Sequence, residues 1–189
     1  MIRRWNGVRL TGDLGGDSAP LYVGAPEIIT TPLDDVIDSE NFTPRLLALL
    51  SNALVWRESR LLRHEFNLGT NDWRVISALS IRPGATSSDV SDFLAMNKAI
   101  VSKSVNTLIA RELIVPADGK RGSRHLYLTR AGAEMHDRMK PISLQGQEIV
   151  LADLTPDEVL QLNHLLTRLL QKTPQLSRTP DASSESVEE

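Results

Sequence analysis

The 189-residue chain contains no cysteine, which excludes disulfides and thiolate metal sites and gives no sign of an oxidising compartment. Histidine is scarce. His64, His125, His136 and His164 stand far apart and none forms an HExxH-like pair, so no metal is expected. No run approaches the roughly 18 apolar residues of a membrane span. The opening Met1-Ile2-Arg3-Arg4-Trp5 leads into Gly, Asp and Thr rather than into the apolar stretch of a secretory signal. The expected compartment is therefore the cytoplasm. There is no GxSxG, no P-loop, no GxGxxG after a strand, no pair of catalytic carboxylates on one element and no thiol nucleophile, so neither an enzyme nor a cofactor is expected.

What is present is charge in an uneven arrangement. The net charge is -3. Between Asn97 and Arg130, however, seven basic residues stand against two acidic ones, a net of +5, so the rest of the chain carries -8. A basic segment inside an acidic protein points to a local polyanion site.

Residues 1–40 are rich in glycine and proline and lack periodicity, which predicts a flexible N-terminal arm, and 173–189, rich in Ser and Glu, read as a disordered tail. Between them the periodicity is helical. Thr43-Pro44 opens a long helix, Thr43 as cap, with Leu46, Leu47, Leu49, Leu50, Ala53 and Leu54 on a wide apolar face that continues to Phe66. A second helix starts at Thr70-Asn71-Asp72, buries Trp73, Ile76 and Leu79, and stops before Pro83. Thr86-Ser87-Ser88-Asp89 is a capping box for a short third helix with Val90, Phe93 and Leu94 on its apolar side. Asn97 then caps a fourth helix reaching about Arg111. Two helices joined by so tight a turn predict a helix-turn-helix.

After Arg111 the period becomes two. Leu113–Val115 and Arg124–Thr129 read as strands joined by a loop at Asp118–Gly122, a hairpin with a basic tip. Thr129 caps a long helix through Pro141, where a kink is expected, to about Leu151. Thr155-Pro156-Asp157-Glu158 launches the last helix, whose stripe of Val159, Leu162, Leu165, Leu166, Leu169 and Leu170 is too wide for a small domain alone. The expected fold is mainly α with a small β-hairpin: a winged helix-turn-helix (67–130) flanked by dimerisation helices (43–66 and 130–172).

On the fourth helix Val101, Val105 and Leu108 share one face, and Ala99, Ser102, Lys103 and Asn106 the opposite one. Such a small, polar and basic face can enter a major groove, with Asn106 and Ser102 at base edges and Lys98 or Lys103 on phosphate or guanine. Lys120, Arg121 and Arg124 beside a glycine-rich loop can probe a minor groove. The candidate DNA-contacting set is Ser87, Ser88, Asn97, Lys98, Ala99, Ser102, Lys103, Asn106, Lys120, Arg121 and Arg124. The alternative is a winged helix that makes only protein contacts and leaves this face idle.

The same residues resemble the MarR family of bacterial regulators, over about Pro44 to Lys172. The helix-turn-helix pattern of that family is met from Phe93 and Leu94 through Val101, Ser102, Val105 and Leu108 to Leu113 and Ile114. Its wing pattern is met by Asp118, Arg121, Arg124, Leu126, Leu128, Thr129 and Gly132. Two positions depart: Glu112 stands where a glycine usually ends the recognition helix, and Lys120-Arg121-Gly122 where Asp-Arg-Arg is common. The N-terminal arm has no counterpart. The resemblance implies a two-fold homodimer on an imperfectly palindromic operator in double-stranded DNA, with half-sites about 34–36 Å apart, and a repressor released by a small aromatic acid or its thioester. Trp56, Arg60, Arg63 or His64, and Trp73 form a candidate aromatic and cationic shelf for that effector. On the opposing reading both tryptophans are core and the arginines are solvated.

Overall fold

A computed structural model describes residues 29–119 and 123–177. The chain divides into two units, 1–39 and 40–189, and every described helix and strand lies in the second. Helix α1 spans Thr43–Phe66, 24 residues and so about 36 Å long. Its cap is Phe42, one residue earlier than expected. Phe42 is extended and its carbonyl accepts from Arg45 and Leu46, while Thr43 takes helical dihedrals and makes no cap bond. Pro44 sits in the first turn, where its missing N–H costs nothing. The helix ends at Asn67, which takes the left-handed conformation at φ 53°.

Helix α2 (Thr70–Ile81) starts where Asp72 accepts the Gly69 N–H at 2.8 Å. Helix α3 (Ser87–Leu94) begins with the expected box: Asp89 N–H donates to the Thr86 hydroxyl and the Asp89 carboxylate accepts the Thr86 N–H. Those bonds from Thr86, backbone first and then hydroxyl, hold the Asp89 carboxyl below its ordinary range. Helix α4 (Lys98–Ala110) follows, then β1 (Ile114–Asp118) antiparallel to β2 (Arg124–Leu128). The loop expected from Asp118 starts later, because Asp118 pairs with Arg124 in the ladder. Helix α5 (Arg130–Leu151) is capped by Thr129, whose hydroxyl accepts from Gly132, and it continues unbroken through Pro141. Helix α6 (Pro156–Leu170) opens on the Thr155 and Glu158 box, and a 3-10 turn at Thr173–Ser177 follows.

The core gathers Leu62 and Phe66 from the end of α1, Val75, Ile76 and Leu79 from α2, Val90 from α3, Val101 and Leu108 from α4, Ile114 and Leu126 from the hairpin, and Met139 and Ile142 from α5. Phe93, assigned to the apolar side of α3, is instead half-exposed, with the Arg82 guanidinium 4.2 Å above its ring. The apolar stripes outside this core stay open. Leu46, Leu47, Leu49 and Leu50 of α1 are exposed, as are Ile149 and Val150 of α5, and α6 buries no residue at all.

Helix α4 ends in a Schellman closure: Glu112 N–H donates to Ile109 and Leu113 N–H to Leu108. Glu112 occupies the left-handed position at φ 56°, where the sequence offered no glycine. The buried Leu113 and the two closing bonds hold it there against its own preference. Replacing Glu112 by glycine is therefore expected to raise stability by about 0.5–1 kcal/mol, the left-handed strain relieved minus the added chain entropy. A higher urea midpoint at unchanged slope checks this, and an unchanged or lower midpoint contradicts it.

Candidate nucleic-acid interface

The interface starts from one turn. Ser91, buried at 3% exposure, donates its hydroxyl to the Met96 carbonyl at 2.5 Å, and Met96 N–H returns a bond to Ser91 at 3.0 Å. Ala95 takes the left-handed conformation at φ 49° to close the turn. Asn97 then extends the chain, and its side-chain oxygen accepts from Ala99 N–H at 2.8 Å. That oxygen is committed to capping, so Asn97 positions the recognition helix.

Core packing decides the rotation of α4. Val101, Ser104, Val105 and Leu108 are buried, and Lys98, Ala99, Ser102, Lys103 and Asn106 are exposed, as the helical spacing predicted. Ser102 and Asn106 face the wing: with Ser87 of α3 and Arg124 of β2 they line one shallow depression of about 110 Å³, floored by Val105, Ile109 and Leu126. Ser88 is exposed beside Ser87. Lys103 lies on the other edge of α4 and lines a separate cleft of about 590 Å³ with Arg63 and Thr70. Among the described residues, none of Lys98, Lys103 and Arg124 is in an ion pair. Lys120 and Arg121 lie outside the described residues.

The wing is anchored by contacts that local sequence patterns do not carry. Gly84 N–H donates to Leu126 and Leu126 N–H to Ala85, so the α2–α3 loop pairs with β2. His125 Nδ1 stands 2.6 Å from the Gly84 carbonyl, and since a carbonyl only accepts, Nδ1 carries the proton. Its Nε2 stands 3.1 Å from the Ser123 hydroxyl. Gly84 has φ 83°, which strains any residue with a Cβ, and lies against the Tyr127 hydroxyl, 2.9 Å from where a Cβ would stand, so a side chain there would also push the Tyr127 ring aside.

The five candidate effector residues do not come together. Trp56 is 69% exposed, and Arg60 and His64 are exposed too. Arg63 lines the cleft beside Lys103. Trp73 is buried and stacks on His136, ring centroids 5.4 Å apart. It borders a different cleft of about 480 Å³ between α1, α2, α5 and α6, lined also by Leu50, Leu54, Arg57, Arg74 and Ile142. Arg57 was missed, and it donates to the Ile142 carbonyl at 3.0 Å. The signal was there: Leu50, Leu54 and Arg57 share the i, i+4, i+7 spacing, whereas Trp56 lies one residue, about 100°, off that face.

No group of His, Asp or Glu among the described residues could hold a metal, and no described helix is long and apolar enough to cross a membrane.

Residues 66–124 match the MarR family. A comparison with curated proteins finds no match. Among solved structures, a MarR/EmrR family transcriptional regulator from Acinetobacter is 27% identical, covers 74% of this chain and 99% of its own, and superposes with a TM-score of 0.68. The DNA complex of Staphylococcus aureus MepR is 19% identical, with coverage of 71% and 98% and a TM-score of 0.63. Bordetella bronchiseptica BpsR, whose DNA binding is regulated by 6-hydroxynicotinic acid, is 20% identical, with coverage of 72% and 99% and a TM-score of 0.62. The winged helix-turn-helix architecture read from the sequence is thus the observed one, and these solved regulators share it.

Ser91 ties the turn from inside, so Ser91→Ala leaves the Met96 carbonyl without its side-chain donor. A loss of about 1–3 kcal/mol is expected in chemical unfolding. Stability equal to the parent would show that the turn is held by the backbone alone.

Proposed function

We propose that this chain, whose residues 66–124 match the MarR family, is a dimeric sequence-specific DNA-binding transcription regulator, a repressor released by a small aromatic acid or its thioester. That family consists of transcription regulators rather than enzymes. The observation that carries the reading is the convergence of Ser87, Ser102, Asn106 and Arg124 on one open surface, flanked by cations with no acidic partner among the described residues. An exposed polar helix face of this kind suits the major groove, about 12 Å wide. Arg124 extends it toward the adjacent backbone or minor groove, and Lys120 and Arg121 add two cations close by in the sequence.

Residues 67–130 act as the reading unit and 43–66 with 130–172 as the dimerisation unit, with 1–40 an arm and 173–189 a tail. The exposed leucines of α1 and α6 support that division, since so many apolar side chains left open on two helices mark an interaction site. A two-fold dimer presents two recognition helices to a palindrome with half-sites about 34–36 Å apart. Acting on chromosomal DNA, the protein works in the cytoplasm. The cleft bordered by Trp73 combines apolar walls with two cations, Arg57 and Arg74, against one carboxylate, Glu58, which accepts from the Ser143 hydroxyl, a balance suited to an aromatic carboxylate. The regulation of BpsR by an aromatic acid supports the same class of effector.

Two measurements test this reading. In a mobility-shift salt titration, Lys103→Ala, Arg124→Ala and Arg121→Ala should each weaken binding and flatten the slope of log K against log salt by about 0.9 for each phosphate no longer neutralised. No effect from any of the three would sink the assignment of this face, and indifference of the parent to every duplex at low salt would favour a protein-contact module. In a thermal-shift panel of phenolic acids and acyl-CoA thioesters, a true effector raises stability by about 2.7 kcal/mol at a hundred times its Kd. A flat panel removes that effector class.

A further inference from the structure

Three consecutive residues at the end of α4 are bound to the C-terminal end of α1 and to the N-cap of α5. Arg111, the C-cap of α4, donates from one guanidinium nitrogen to the carbonyls of Phe66 at 3.0 Å and Asn67 at 3.1 Å, the last residue of α1 and its cap. Those carbonyls form the negative end of a 24-residue helix, where a guanidinium is favoured on electrostatic as well as hydrogen-bonding grounds. From the other side, the Thr129 hydroxyl donates to the Glu112 carbonyl at 2.8 Å and its N–H to Leu113 at 3.0 Å. Gly132 of α5 lies so close that a Cβ there would stand 1.9 Å from the Leu113 oxygen.

We infer that Arg111 is a positioning residue for DNA recognition: it locks the C-terminal end of the recognition helix to α1, so that the spacing set at the dimer interface is transmitted rigidly to the two recognition helices. The inference rests on the dimeric DNA-binding reading above and adds to it the part that carries the geometry. The lever is long enough to matter. Helix α4, with 13 residues, is about 20 Å long, so a tilt of about 10° at its clamped end moves its far end by roughly 3.4 Å. That is one base-pair step. Thr129 and Gly132 restrain the same point from the start of α5, through the Thr129 hydroxyl and N–H and the close approach of Gly132, but they do not reach α1. Arg111 alone among the three residues reaches α1 by a side chain.

The test uses the full chain and the duplex best retained by the parent, with its central spacer lengthened or shortened one base pair at a time. Arg111→Ala should weaken the best duplex by at least about tenfold and bring neighbouring spacings to within about threefold of it, at unchanged salt slope. Arg111→Lys, which can still donate to two carbonyls, should recover most of both. Uniform loss at every spacing with a lowered Tm would mean a merely structural residue and overturn the inference. A salt slope reduced by about 0.9 would mean direct binding to a phosphate instead and overturn it equally.

A readout without DNA separates this from the reading beneath it. The chain has no cysteine, so Asp92→Cys on α3, exposed and outside the proposed contact face, takes a single nitroxide per protomer. The distance between the two labels should be narrow in the Arg111 protein and broad in Arg111→Ala. Equal widths would overturn the inference even if the parent binds DNA, and the absence of any second spin would overturn the dimeric reading and the inference with it.

Discussion

Everything in this molecule that faces outward depends on what α4 faces inward. Val101, Val105 and Leu108 are at most 5% exposed, and their burial contributes about 5–9 kcal/mol on ordinary transfer scales. This fixes the rotation of the helix about its axis. Turning it by one residue would bring Ser102 and Asn106 toward the core and leave their polar groups without water, a cost of the same order as the whole gain. The recognition surface is in this sense the remainder of a packing decision. Ser91, buried in the turn, then fixes where the helix starts, and the Schellman closure at Leu113 fixes where it ends.

The core and the arms divide the protein in a way that matters for its energetics. Buried apolar residues come from the end of α1, the middle of α5 and the winged helix-turn-helix, while Leu46, Leu47, Leu49 and Leu50 of α1 and Leu160, Leu165, Leu169 and Leu170 of α6 stay exposed. If those leucines meet a second copy, stability and recognition become one problem, since association favours the folded state and its contribution grows with protomer concentration. An effector in the cleft beside Trp73 would touch α1, α2, α5 and α6 at once. Binding there would bear on how those four helices sit against one another.

Much of this was legible in the sequence because it is local. The capping boxes at Thr86 with Asp89 and at Thr155 with Glu158 are four-residue patterns, and each closes as its spacing predicts. The inward and outward faces of α4 follow from a 3.6-residue period alone. What was not legible is what a face meets. The start of α1 slipped by one residue because Pro44 is tolerated at either early position, and Asp118 joined the ladder because register is settled by pairing with Arg124. Trp56 drew attention as an aromatic beside cations yet stands in solvent, whereas Arg57 next to it reaches the Ile142 carbonyl 85 residues away. Arg111 reaching Phe66 and His125 reaching Gly84 are of the same kind. A glutamate in the left-handed position at 112 is a further case, since closure of the helix overrode the preference of the residue.

The most direct measurement is to equilibrate the purified protein with a random duplex library, recover the retained fragments and sequence them. The account requires enrichment of one imperfect palindrome whose half-sites are centred about one helical turn apart, with retention falling steeply as salt is raised. Retained fragments without a shared motif, or none retained by a monomeric protein even at low salt, would contradict it.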